Sequence, residues 1–247
     1  MSVSRDEIIK YLNDYLQIDQ FQDYGPQGLQ VEGRDTVKKI VTSVSASVQL
    51  FEEAASRDAD MIIVHHGILW DKESRVIKDG LKRRIETLLY NEVTLLAYHL
   101  PLDKHPEIGN NAQAAKAFKM TNLSEFAEVG LKGDITPCSY DDLLKKVQDI
   151  YNTDPLVFAY GPEQVKRIGI CSGGSERHIV EAIEEGLDAF ITGESAEPTM
   201  HLAKEGKIHF IGAGHYATER LGVLALGAHV SKKFSIDVDF IDIYNPV

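Results

Sequence analysis

The chain predicts an α/β fold with largely parallel or mixed sheets. Three observations carry this. Strand and helix signals alternate along its 247 residues, a short apolar run at 60–65 reads as a buried strand, and a strand–helix–strand segment recurs later in the chain.

The elements follow in order. Residues 4–17 read as an amphipathic helix. Segment 38–45 (KKIVTSVS) reads as a strand, 47–57 as a helix and 60–65 (DMIIVH) as the buried strand. Residues 80–91 predict a helix, 93–98 (VTLLAY) a strand and 109–119 a helix. The interrupted stretch 121–138, with Pro137 near its end, reads as a crossover. Beyond it come a helix at 140–151, a strand at 165–171, a helix at 174–186 and a strand at 188–192. A helix at 197–206, a strand at 207–212, a helix at 215–231 and a strand at 235–243 close the pattern. Segment 25–33 (GPQGLQVEG) reads as a Gly-rich turn. It lacks the spacing and the Lys-Ser/Thr end of a P-loop, so it is no nucleotide motif.

The repeat is the most informative feature. Segment 38–66 aligns without a gap on 166–194, an offset of 128 from Lys38 to Lys166. Ile40 meets Ile168, Glu53-Ala54 meets Glu181-Ala182, and Asp60 meets Asp188. The second strand ends in His65-His66 in one copy and in Gly193-Glu194 in the other. A further match, at an offset of 116, lays 93–103 on 209–219 and so pairs His99 with His215 and Asp103 with Glu219. A pseudo-twofold duplication would bring these strand ends to one crevice, where open α/β sheets hold their ligands.

Composition is that of a globular protein, 43% hydrophobic and 26% charged. A net charge of −12 argues against a general binder of nucleic acid or anionic membrane. Cys138 and Cys171 have no C-x-x-C spacing and read as reduced thiols. With neither a signal-peptide pattern nor a run of about 18 apolar residues, a soluble cytoplasmic protein is expected.

The polar residues at strand ends suggest metal chemistry. His65 and His66 are neighbours at a strand end and point in different directions, so they could serve two metals, or one metal and one outer contact. His215 and Glu219 are four apart, which on a helix puts both on one face. Asp103 follows Pro101 in what reads as an ordered loop, and is a good bridging carboxylate. His99 could be a ligand, a structural histidine or a donor that orients a ligand, and the last is favoured. Mixed N/O donors without thiolate suit Zn, Fe, Mn, Co or Ni, and bridging carboxylates favour a pair of ions. Residues 72–84 hold six basic and two acidic residues. They read as a solvated face, or alternatively as an arm attracting a phosphate-bearing substrate.

The strings DYGPQGLQVEG, IIVHHGILW, YHLPLDKHPEIGNNAQ, FITGE and GAGHYATERLGVLAL, in this order, resemble the Nif-three-like family. Its bacterial members carry the label GTP cyclohydrolase 1 type 2 homologue. The resemblance implies duplicated, intertwined three-layer α/β/α halves with mixed sheets, expected here over 1–128 and 129–247 and sharing one metal site. It implies His65, His66, Asp103, His215 and Glu219 as ligands of two divalent ions, with His99 and Glu194 near the centre but not ligands. It also implies a ring-shaped homohexamer. The function it suggests is a metal-dependent hydrolase acting on a nucleotide or related small phosphorylated substrate. The alternative is a non-catalytic metal-binding ring or scaffold.

Overall fold

The computed structural model of the chain describes residues 2–247. In chain order its elements are β1 (Val3–Ser4), α1 (Arg5–Tyr15), β2 (Gly28–Val31), β3 (Thr36–Val37), β4 (Lys39–Ser45), α2 (Val48–Ser56), β5 (Met61–His66), α3 (Asp79–Tyr90), β6 (Thr94–Ala97) and α4 (Leu100–Lys104). Then come α5 (Asn110–Ala117), β7 (Thr121–Phe126), β8 (Gly130–Ser139), α6 (Tyr140–Tyr151), β9 (Leu156–Ala159), β10 (Gln164–Cys171), α7 (Ile179–Glu184) and β11 (Ala189–Thr192). The last are α8 (Thr199–Gly206), β12 (His209–Gly212), α9 (His215–Thr218), α10 (Arg220–Phe234) and β13 (Asp237–Phe240).

Two compact units result. One runs up to Leu102 and includes Val223–Ile243; the other is Asp103–Gly222 with Tyr244–Val247. These bounds differ from a division into 1–128 and 129–247. The reason is strand pairing: β13 lies parallel to β4, so the C-terminal strand completes the first unit's sheet.

In the first unit a five-stranded sheet has the order β13-β4-β5-β6-β2. The pairs β4/β5 and β5/β6 are parallel, and β2 is antiparallel to β6. Alternation decides the layers. Val41, Ile62, Val64, Leu95 and Ala97 pack with Leu50, Phe51 and Ala54 of α2 and Leu88 of α3. The other face carries α10. A Cβ at Gly227 would lie 3.2 Å from Thr42 Oγ1, so the missing side chain lets that helix approach the sheet closely.

The second unit has a six-stranded sheet, β7-β8-β10-β11-β12-β9. Its centre, β10-β11-β12, is parallel and β9 is antiparallel to β12. Ile168, Ile170, Ile191 and Ile211 face α5 and α6, through Phe118, Leu143 and Val147. Phe190 and Phe210 face α7 and α8, through Ile179, Ala182 and Ala203. Each unit is therefore a three-layer α/β/α arrangement around a mixed sheet.

The repeat at offset 128 is reproduced bond for bond within each unit. Asp60 Oδ2 accepts the backbone N–H of Lys38 at 2.7 Å and of Lys39 at 3.1 Å. Asp188 Oδ2 accepts those of Lys166 at 2.8 Å and Arg167 at 2.9 Å. Helix α2 ends with Ala59 N–H bonding Ala54 O, and α7 ends with Leu187 N–H bonding Ala182 O. The residues that make these turns, Asp58 and Gly186, both lie at positive φ, 57° and 64°.

The second offset needs correction. Thr94 stands opposite Met61, and His209 opposite Ala189, so β6 corresponds to β12 at 115, not 116. Carried onward, that register sets Gly214 against His99 and Leu100 against His215. The matched pairs His99/His215 and Asp103/Glu219 are thus one residue out of step.

Other departures have local causes. Residues 121–138 form a β7–β8 hairpin, with its turn at Ala127 and Glu128, both at positive φ (50° and 66°). No Asn-Gly or Asp-Gly pair marks that turn. Segment 25–33 contains strand β2. Pro101 is the second residue of α4, where its missing N–H has no partner to lose. The helix expected over 215–231 is broken at Glu219, which caps α9 with φ −103° and ψ 3°.

Candidate metal centre

In the first unit three imidazoles cluster after adjacent strands. His65 and His66 end β5, and His99 follows β6. Ring centroids are 4.8 Å apart for His65 and His66, 5.0 Å for His65 and His99, and 5.5 Å for His66 and His99. One ligand nitrogen from each lies within 4.8 Å of the others.

Each ring is held by its Nδ1. His65, wholly buried, places Nδ1 2.9 Å from Tyr98 O. A carbonyl only accepts, so Nδ1 carries the proton and Nε2 keeps its lone pair. His66 Nδ1 lies 3.0 Å from Ser45 Oγ on the neighbouring strand, where Ser45 is its register partner. His99 Nδ1 lies 2.7 Å from Asp23 Oδ1. Asp23 also accepts the Leu100 N–H through Oδ2 at 2.9 Å. Burial opposes ionisation of Asp23, yet the hydrogen bond and charge of His99 hold its carboxyl below the usual range. Histidines that bind metals characteristically give their second ring nitrogen to such partners.

The carboxylates belong to the second unit. Asp103, 4% exposed, accepts Asn110 Nδ2 at 2.9 Å and Ser172 Oγ at 2.7 Å, both on Oδ1. Asn110 is fixed in turn by accepting the Gly222 N–H at 2.7 Å, and Asn111 accepts the Ser172 N–H at 2.9 Å. His215 opens α9 with Nδ1 2.5 Å from Glu194 Oε1 and Nε2 3.1 Å from Glu219 Oε1. Although Glu219 lies just past α9, spacing of four still brings it to His215. Glu219 is 2% exposed.

Gly173 makes room for this pair. Its φ is +67°, and a Cβ there would stand 2.3 Å from Glu219 Oε1 and 3.2 Å from His215 Nε2. Its N–H donates to Thr218 Oγ1 at 3.0 Å, and its carbonyl accepts Thr192 Oγ1 at 3.1 Å.

The donor set fits divalent metal ions: imidazoles with oriented lone pairs, and carboxylates buried where an unpaired negative charge would be costly. Without metal, burial lowers the His215 pKa, but Glu219 and then Glu194 outweigh it and raise it from 6.5 to about 9. A raised folded-state value stabilises fully below the unfolded pKa of 6.5 and is lost as pH climbs through 9. Chelator-treated protein should therefore lose stability across that window. Thermal unfolding of wild type and His215→Gln checks this, since the variant's slope should be flatter there. Equal slopes would remove the assignment.

Sequence alone does not single out several of these residues: Asp23, Asn110 and Asn111 stand inside the family's strings without a spacing that marks a role. Ser45 and Gly173 are related by the offset of 128, and each lies against a candidate ligand. That repeat position was the available signal. Cys138 and Cys171 are free, and burial pushes the Cys171 thiol up to about 12. Among the described residues no helix is long and apolar enough to cross a membrane.

Fold and site together define a duplicated α/β protein with histidine and carboxylate groups that could hold a metal ion. The family model described as Duf34/NIF3 (NGG1p interacting factor 3) matches residues 3–246, and the chain belongs to this family. It is 44% identical over 246 residues to a Haemophilus influenzae protein named GTP cyclohydrolase 1 type 2 homolog, covering 97% of this chain and 98% of that one. An Escherichia coli (strain K12) protein of the same name is 44% identical over 242 residues, covering 97% and 98%. Among solved structures, protein ybgI, described as of unknown function, superposes with a TM-score of 0.95 at 43% identity, covering 99% of this chain and 100% of that one. TTHA1606 from Thermus thermophilus gives 0.92 at 34% identity, covering 99% and 100%.

Proposed function

We propose that this protein is a hydrolase dependent on two divalent metal ions, acting on a nucleotide or related small phosphorylated substrate. His65, His66, Asp103, His215 and Glu219 are the ligands in this reading, and the ions are drawn from Zn, Fe, Mn, Co or Ni. The observation that carries it is the fixed Nδ1 of every candidate imidazole, which leaves Nε2 as the ligand atom. The relatives' name, GTP cyclohydrolase 1 type 2 homolog, favours a guanine nucleotide.

Such ions supply an activated water and polarise a substrate oxygen. The chain's own residues do the rest. Glu194 holds the His215 ring, Asn110 and Ser172 orient Asp103, and Asp23 fixes His99 beside His65 and His66. His99 acts here as a neighbour of the centre and not as a ligand. A cytoplasmic homohexameric ring completes the proposal, and light scattering on purified protein measures that assembly.

Asp103→Ala is the direct test. With metal-loaded protein and a panel of nucleotides, the variant should lose bound metal and about 100-fold or more of turnover, as expected for removing a ligand rather than its neighbour. Equal turnover by both proteins would overturn the hydrolase reading. Full metal binding with no turnover of any panel member would favour the metal-binding scaffold.

A further inference from the structure

A cavity of about 320 Å³ lies in the first unit, between the β5–α3 connection and the first turns of α3. Its apolar lining includes Pro26, Ile68, Leu69, Trp70, Ile77 and Leu81, and its polar lining is Asp71, Glu73, Ser74 and Arg75. Trp70 has two neighbourhoods. It lines the cavity, and its ring stands edge-on to His99, 5.4 Å between centroids at 88°, and 6.1 Å from His66. The cavity and the imidazole cluster therefore share one wall.

Backbone bonds brace part of this lining. Asp71 N–H donates to Tyr24 O at 2.8 Å. Gly25 lies so close to Leu69 that a Cβ would stand 2.4 Å from its carbonyl oxygen. Glu73 N–H closes a turn onto Trp70 O at 3.1 Å.

We propose that this cavity binds the planar heteroaromatic ring of the substrate, a purine such as guanine, while its phosphates lie outside. This rests on the reading above that a nucleotide-like molecule is acted upon. Size is the first argument: the volume is at the low end for small-molecule sites, enough for one ring system and little more. Lining is the second, because an indole and aliphatic walls suit a flat apolar face. The polar lining is the third: an ionised carboxylate there, from Asp71 or Glu73, can accept the adjacent N–H and NH₂ donors of guanine's edge.

Trp70 is the chain's single tryptophan, so its fluorescence reports on the wall that the cavity shares with the imidazole cluster, and the chelated state removes any metal contribution. The experiment titrates the full-length protein, with metal and after chelation, with guanosine, ribose 5-phosphate and inorganic tripolyphosphate. Excitation is at the red edge of indole absorption. Guanosine should quench saturably in both states, and the two phosphates should not. Ile77→Glu places a charge on an already exposed wall residue (60% exposed) and should weaken guanosine about tenfold, with unchanged circular dichroism. Ile77→Leu should bind as wild type. Absence of quenching up to millimolar guanosine, or equal affinity of wild type and Ile77→Glu, would overturn the proposal. Both outcomes are read without turnover. Failed hydrolysis with intact quenching sinks only the hydrolase reading, and hydrolysis without quenching sinks only the pocket.

Discussion

Gly173→Ala should destabilise the protein by about 2–4 kcal/mol and weaken metal binding by about 10- to 100-fold. Two separate costs add here. An L side chain at φ +67° is strained by about 1 kcal/mol or more. The new Cβ would also stand 2.3 Å from Glu219 Oε1. Glu219 is buried, so its carboxylate has little space into which to retreat, and His215 would have to move with it. A control separates the costs. Gly186 has a similar φ, +64°, but a Cβ there would meet nothing within 4 Å. Gly186→Ala should therefore cost about 1 kcal/mol and leave metal binding unchanged. Denaturant unfolding and competition with a chromophoric chelator measure the two quantities. Equal losses of metal affinity in both variants would show that Gly173 acts through backbone strain and not through the His215–Glu219 pair.

Much of this site can be read in the chain, and what cannot be read has a physical reason. Apolar periodicity locates β4, β5, β11 and the C-terminal half of β10 because residues there are buried on both faces. It missed β2 and β9, the antiparallel strands beside β6 and β12, where Leu29 and Leu156 are exposed. It read residues 121–138 as a crossover because Gly130 and Gly133 resemble breakers. They are glycines because strands approach closely there: a Cβ at Gly130 would stand 2.4 Å from Ile170 O. An offset of 116 matches His99 to His215 by residue type. Strand register obeys hydrogen bonding instead, and the backbone of β6 and β12 sets 115. Ser172 and Asn110, which hold Asp103, are far apart in sequence and belong to no motif spacing. Only folding brings Ser172 Oγ within 2.7 Å of that carboxylate.

Asp60→Ala should cost about 3–4 kcal/mol, and Asp188→Ala about 1–2 kcal/mol, although the two carboxylates make the same backbone bonds. Asp60 is 5% exposed, and beyond the two N–H groups it also takes Arg34 Nη1 at 3.1 Å. Removing it takes a buried acceptor from two backbone N–H groups and from the Arg34 guanidinium together. Asp188 is half-buried, so water can replace part of what is lost. Urea midpoints of the two variants test this ordering. A cost for Asp188→Ala equal to that for Asp60→Ala would mean that burial does not set the energy of this brace. The contrast also says something about the duplication. The brace joins the start of one strand to the start of the next, and both copies keep it. At the opposite strand ends the side chains take other tasks, such as the bond of His65 Nδ1 to Tyr98 O. There the copies differ, His65-His66 in one and Gly193-Glu194 in the other. That difference allows one copy to offer imidazoles while the other offers the glycine that seats His215 and the carboxylate that orients it.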